Sequence, residues 1–428
     1  MKRGLVFCGG GSKGAYQMGA WQALEELNEK FDIVTGTSIG CLNGAMFTQH
    51  DYQKCYELWD TINVNKIMNK GLTLDEKSIR TSLKKKQDLM PFLKQYIQDF
   101  GVDIGPFLDL MNEYISPETI KNSDIDFGIV TASFPGFKPV EIRAKDIKLD
   151  EIKKYILASA SCFPIFPVCK IGDKKFVDGG YYDNLPINFA LNMGATSIVA
   201  IDLNVDGTHK EFMNLPFVKY IKPSWSLGSF MFFEHSIICN NRTLGYNDTM
   251  KAYGKYFGFR YTFYNFPDND KYRDFSIYIA KIVGKMKIAK IKTNVKPEKD
   301  GDIYYLLTKY TTRPLTDKEY FIRGAEIAAE FLNIDHLVIY EIDGFMQQIL
   351  SLISQLEEDI TILDGYKKLK TSLRQKDYLS RISDNILLKY LYLAIMNNEE
   401  LDDSFLMNVI ASKPNIFIIY SLIKTWSR

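Results

Sequence analysis

Histidine and cysteine are scarce in this sequence, charge is balanced and no long apolar run occurs, and each shortage removes a class of protein. Only His50, His209, His235 and His336 are present, so chemistry built on several imidazoles has few places to sit. Six cysteines in 428 residues are too sparse for a disulfide scaffold, and Cys8, Cys41, Cys55, Cys162, Cys169 and Cys239 include no CxxC pair. A reducing cytoplasm is the expected compartment. Lys+Arg number 53 against 52 Asp+Glu, which leaves no surplus of positive charge to neutralise a phosphate backbone, and nucleic acid is not an expected partner. The local run Lys84-Lys85-Lys86 reads as a solvated helix face. The apolar stretch behind Lys2-Arg3 stops at Cys8, short of a secretory h-region of about 7–15 residues. The nearest approach to a membrane span is Ile416 to Ile423, far below the roughly 18 apolar residues required. Membrane contact is therefore expected to be peripheral. No acidic run has EF-hand spacing, so no calcium cage is expected.

What remains is an ordinary globular composition, 46% hydrophobic and 25% charged, in a chain long enough for two or three domains at about 150 residues each. Leu5 to Cys8 reads as a strand, Ala20, Leu24 and Leu27 recur at helical spacing, and Phe31 to Val34 gives a second strand. Two strands joined through a helix imply a parallel βαβ unit. Ser116-Pro117 opens a helix, Asp126 to Ser133 and Val140 to Ala144 read as strands, and a helix follows from Asp150 to about Ala160. Gly172-Asp173 joins two short strands as a hairpin. A helix starting at Pro186 stops at Gly194, and Thr196 to Leu203 reads as a buried strand. Beyond about Tyr261 the composition shifts to Ile, Leu, Tyr and Lys. A capping-box pattern at Thr316 and Glu319 and a strong helix over Ile386 to Met396 mark residues 261–428 as a mostly helical second region.

The loop Gly9-Gly10-Gly11-Ser12-Lys13-Gly14 has the G-x-G-x-x-G form of a dinucleotide site, but the end of the second strand carries no ribose-binding acid, since Asp32 lies at that strand's start. Gly14 is followed by Ala15, so it is not a P-loop either. The second strand ends instead in Gly36-Thr37-Ser38-Ile39-Gly40, a G-x-S-x-G nucleophile elbow in which small neighbours let the chain turn sharply under Ser38. The bland reading is a tight turn with Ser38 as a helix cap. The two loops sit at the C-terminal ends of neighbouring strands, where open α/β sheets place their sites, and glycine amides there suit an oxyanion. With histidine scarce, the candidate base is Asp178 in Phe176-Val177-Asp178-Gly179-Gly180, although Asp-Gly-Gly alone is usually a turn.

Together with Ala158-Ser159-Ala160-Ser161-Cys162-Phe163-Pro164 and Asn184-Leu185-Pro186, these blocks resemble, in order and spacing, the patatin-like phospholipase family over roughly residues 3–260. The resemblance implies a three-layer α/β/α domain over 1–260, with a mostly parallel sheet, followed by a helical region 261–428 of unassigned role. It implies a Ser38–Asp178 dyad that forms an acyl-enzyme from a lipid ester, phospholipid or lysophospholipid. Gly9, Gly10, Gly11 and Gly14 would form the oxyanion loop, and no metal or cofactor is called for. A free Asp has a pKa near 3.9, so burial or hydrogen bonding to Ser38 is expected to raise its proton affinity. Lys13 occupies the family's basic position and is assigned no chemistry. Two rivals stand beside this reading: an α/β-hydrolase triad using His209 or His235, and a non-catalytic lipid-binding scaffold. The aromatic segment Trp225 to Cys239 is read as core packing ahead of an acyl-chain groove or membrane contact, and Ile416 to Tyr420 as core of the C-terminal helices.

Overall fold

Arg3–Phe7 forms β1, a short run buried along all but its first residue, as expected of a strand covered on both faces. The computed structural model describes residues 2–68, 103–163, 165–208, 210–288, 303–311, 313–367 and 372–427. The Lys84-Lys85-Lys86 run, Pro164 and His209 lie outside the described residues. The chain divides into two units, Met1–Gly254 and Lys255–Arg428.

The first unit is built on an eight-stranded, mostly parallel sheet. Its strands are β1, β2 (Ile33–Thr37), β3 (Asp126–Ser133), β4 (Pro139–Arg143), β5 (Cys169–Ile171), β6 (Lys174–Asp178), β7 (Ser197–Ile201) and β8 (Val218–Ile221). β1 lies between β2 and β7, parallel to both, and β3 and β8 extend the parallel run on either side. Helix α1 (Ala15–Glu26) connects β1 to β2, α2 (Ile39–Thr48) leaves the end of β2, and α3 (Tyr52–Thr61) follows. α2 packs on β1 and β2, and the helix Ile152–Ser159 packs on β3, β5 and β6. β8 is not predicted from the sequence, since Val218–Ile221 is only four residues long and is buried at both ends without a regular alternation between them.

One detail of register positions the site. Val130 of β3 pairs with Thr37 of β2 and with Glu141 of β4, while the next residue, Thr131, pairs with Asp178 of β6 and with Val140 of β4. A strand has two edges, so β4 occupies one, and β2 and β6 share the other, end to end. β2 runs parallel to β3 and β6 antiparallel, and the last residues of both therefore meet at the Val130–Thr131 step.

The second unit is mostly helical, and the capping box at its helix Asp317–Phe331 forms as the sequence predicts. Its exceptions are two parallel two-residue strands, Thr262–Phe263 and Ile339–Tyr340, too short to carry a periodic signal. Phe263, Phe266, Phe275, Phe321 and Phe345 are buried together in an aromatic core, and Ile416 to Tyr420 are buried as well. Within that core Arg323 pairs with Glu326, both fully buried. Oε1 of Glu326 accepts hydrogen bonds from the amides of Phe259, Arg260 and Tyr261. The expected boundary after residue 260 thus falls inside a turn that the second unit organises.

Candidate active site

Ser38 stands at the end of β2 with φ 56 and ψ −126, a region that side-chain-bearing residues enter rarely and at a cost of about 1–3 kcal/mol. The turn is held from beneath. The Ser38 amide donates to Ser159 Oγ at 2.9 Å, and the Ser159 hydroxyl donates in turn to the Val130 carbonyl at 2.6 Å. Cys41 and Leu42 donate their amides to the Ser38 carbonyl and begin α2. A Cβ on Gly40 would collide with the Phe7 and Cys8 carbonyls, so the elbow packs directly against the backbone that enters the glycine loop.

In that loop the amides divide into used and unused. Gly9 donates to the Asn184 carbonyl at 2.9 Å, Ser12 donates to the Phe230 carbonyl at 2.8 Å, and Lys13 donates back to Gly10. The amides of Gly10 and Gly11 have no acceptor among the described residues, and both glycines line the cavity that contains Ser38. Gly11 has φ 57, and a Cβ there would run into the Phe230 carbonyl. The other two glycines expected in the oxyanion loop are placed differently. The Gly9 N–H is already spent, and Gly14 lies away from the cavity, where a Cβ would strike Ile39 and the Trp59 ring.

The loop rests on a buried polar chain that sequence inspection did not find. Gln17 donates to the Cys8 carbonyl, Asn43 donates to Gln17 Oε1 and the Gly14 carbonyl, and the Trp59 indole donates to Asn43 Oδ1. These contacts tie α1, α2 and α3 together beneath the glycines. Their only sequence signal is polar residues standing on otherwise apolar helical faces.

Asp178 ends β6 and is 5% exposed. Its carboxylate accepts the Gly180 amide at 2.7 Å, and its own amide donates to the Ser161 carbonyl at 2.8 Å. Burial pushes its carboxyl from the ordinary 3.8 up to about 6, against the pull of the Gly180 amide and the Ser38 hydroxyl. The direction matches expectation but the cause is narrower, because a donor to a carboxylate stabilises its charged form, and only desolvation raises the pKa. Lys13 also faces the cavity, half-buried, with its ammonium pKa lowered by that burial.

Ser38, Asp178, Gly10 and Gly11 open onto one cavity of about 390 Å³. Its walls are apolar: Leu42, Leu58, Ile62, Met68, Phe107, Leu110 and Phe166 line it, joined by Phe230, Met231 and Phe233. The segment Trp225 to Cys239 therefore contributes a cavity wall where core packing was expected, and Phe230 keeps 39% of its surface exposed. His235 is not among the lining residues. Its ring lies beside the Asp60 carbonyl and Cys239, and His50 pairs with Asp124.

Residues 5–191 match the family model described as "Patatin-like phospholipase", and this stretch of the chain is a patatin-like phospholipase domain. Lysophospholipase NTE1 of Mycosarcoma maydis is 26% identical over 213 residues, which cover 49% of this chain and 10% of that protein. Patatin-like phospholipase domain-containing protein 7 of Rattus norvegicus is 28% identical over 205 residues, 46% of this chain and 13% of that one. Neuropathy target esterase sws of Drosophila melanogaster is 27% identical over 206 residues, 47% of this chain and 13% of that one. The match spans only about an eighth or less of each of these relatives. Among solved structures, VipD from Legionella pneumophila aligns at a TM-score of 0.40 with 14% identity, covering 97% of this chain and 91% of that one; a match that loose defines no shared fold. Among the described residues no helix is long and apolar enough to cross a membrane.

Proposed function

We propose that the protein hydrolyses carboxylic esters of lipids, with Ser38 as nucleophile and Asp178 as its base. The observation that carries this reading is the convergence on one apolar cavity of an elbow serine, a buried carboxylate raised to about 6 and two glycine amides without an acceptor among the described residues. The acyl chain lies along the Leu58–Phe107–Phe233 walls, and the ester carbonyl sits over Ser38. Asp178 takes the Ser38 proton as Oγ attacks, and the amides of Gly10 and Gly11 receive the oxyanion. The protonated Asp178 then gives its proton to the leaving alcohol. Water, activated by the same carboxylate, releases the fatty acid from the acyl-enzyme.

A phospholipid or lysophospholipid is the substrate class this reading favours, since the relatives named lysophospholipases share the domain. Peripheral contact with a lipid surface, on the cytoplasmic side, belongs to the same reading. It is supported by the exposed aromatic edge in which Phe137 and Tyr181 pack ring to ring beside the cavity. The test is ester hydrolysis and fluorophosphonate labelling of wild type beside Ser38→Ala and His235→Ala, each checked for folding by circular dichroism. Ser38→Ala loses both signals and His235→Ala keeps them. Normal turnover by a folded Ser38→Ala variant removes the mechanism, and loss of turnover in folded His235→Ala restores the triad.

A further inference from the structure

Outside the cavity, Asp60 near the end of α3 faces His235 and Cys239, which stand one turn apart on the helix His235–Ala252. We infer that His235, Cys239 and Asp60 form a binding site for zinc or a similar borderline-soft divalent cation, separate from the ester-hydrolysing machinery.

Three observations carry it. One ligand atom from each residue lies within 4.8 Å of the other two, so a single ion can reach all three with side-chain adjustment. His235 Nε2 and Cys239 Sγ are 3.4 Å apart, close to the roughly 3.6 Å that tetrahedral geometry sets between nitrogen and sulfur at Zn–N of about 2.0–2.1 Å and Zn–S of about 2.3 Å. The imidazole is also oriented for the task. Its Nδ1 lies 3.2 Å from the Asp60 carbonyl, and a carbonyl only accepts, so the ring hydrogen sits on Nδ1 and the Nε2 lone pair points toward the thiol. An outer carbonyl fixing the tautomer in this way is the usual support of a metal-bound histidine. Three ligands of mixed nitrogen, sulfur and oxygen character leave a fourth position for water, toward the exposed His235 edge.

A competing cation is already present. Arg242 reaches Asp60 Oδ1 at 3.5 Å and Cys239 Sγ at 3.9 Å, with its guanidinium over the Tyr56 ring at 4.2 Å. These polar contacts are long, and the stacking on Tyr56 holds the guanidinium independently of them, so the carboxylate is free to turn to the ion. The bound ion would tie α3, which carries Leu58, to the helix that begins just after Phe233. Both residues are walls of the cavity.

Zinc binding to the full chain is measured by competition with a chromophoric chelator, and the donor set by cobalt substitution. The site predicts one ion per chain and a near-ultraviolet thiolate-to-cobalt charge-transfer band. Cys239→Ala abolishes the band, while His235→Ala and Asp60→Asn each weaken binding by roughly 10-fold or more. Arg242→Met, which removes the competing charge and keeps an apolar stem over Tyr56, strengthens it. Zinc raises the unfolding temperature of wild type and leaves that of Cys239→Ala unchanged. The assignment is overturned if no saturable binding occurs, if the band survives Cys239→Ala, or if its loss follows Cys162→Ala instead. Weaker binding in Arg242→Met overturns the role given to that arginine and, with it, the proposed carboxylate ligand.

Discussion

The two units of this chain solve the problem of buried polarity in opposite ways. In Lys255–Arg428 the buried charge is closed on itself: Glu326 is paired with Arg323 and saturated by three backbone amides. In Met1–Gly254 the buried carboxylate of Asp178 has no cationic partner among the causes that set its pKa, and two amides across the same cavity have no acceptor among the described residues. The first arrangement specifies structure. The second leaves donors and a carboxylate unmatched in one pocket, which is the arrangement the proposed reaction requires.

The sharpest way to break this contrast is Asp178→Asn, which keeps shape and removes the proposed base. Ester hydrolysis is expected to fall by roughly 10⁴-fold, on the scale of losing a member of a catalytic unit; a loss under tenfold in the folded variant makes Asp178 structural after all. In the second unit, Glu326→Ala leaves buried Arg323 with its longer contact to Glu330 and removes the acceptor of the Phe259, Arg260 and Tyr261 amides, and the expected cost is about 3–5 kcal/mol, read by chemical denaturation. Labelling of Ser38 in the variant is expected to persist wherever the first unit stays folded, and its loss there would show that the second unit completes the site. Gly11→Ala is next, with kcat lowered by roughly 10²–10³-fold through displacement of the loop against Phe230. Gly10→Ala is also strained, at φ 157, but its Cβ meets side chains, Leu203 at 3.0 Å and Val205 at 3.5 Å, where that of Gly11 meets the Phe230 backbone, and so it perturbs the loop less; equal losses in the two would contradict this steric ranking.

The pH dependence is gentler. In the proposed mechanism Asp178 acts as base only when ionised, so kcat/KM is expected to rise with pH through about 6 and then level. The same group ties stability to pH. Folded Asp178 holds its proton up to about pH 6, whereas the unfolded chain releases it near the ordinary 3.8. The folded state therefore loses stability as pH climbs through that window, and the cost is fully present above it. Asp178→Asn escapes the cost, for an expected gain on the order of 1–3 kcal/mol at neutral pH that vanishes below about pH 4. An unchanged difference in unfolding free energy between pH 4 and 7 would contradict the shift.

The turns of the candidate site were readable in the sequence wherever they are written in backbone punctuation. Gly36 and Gly40 around Ser38, and Asp178 before two glycines, mark sharp turns at strand ends, and those turns recur in the structure. The helical character of the second region followed from its side-chain spacing. What could not be read was anything decided by pairing across the fold. That Gly9 spends its amide on Asn184 while Gly10 and Gly11 keep theirs depends on a contact 175 residues away in sequence. The part of Ser159 in holding the elbow, and the placing of Phe230 in the cavity wall, are equally non-local. β8 and the strand pair of the second unit were missed because runs of two to four residues carry too few periods to register.

The left-handed backbone of Ser38 has a consequence for anyone who would improve this protein. Glycine is the residue that conformation prefers, so a search guided by thermal resistance would reward Ser38→Gly. The variant would gain from relaxation of the turn and lose the hydroxyl proposed as the nucleophile. On the proposed mechanism, selection for durability and selection for turnover point in opposite directions at this one residue.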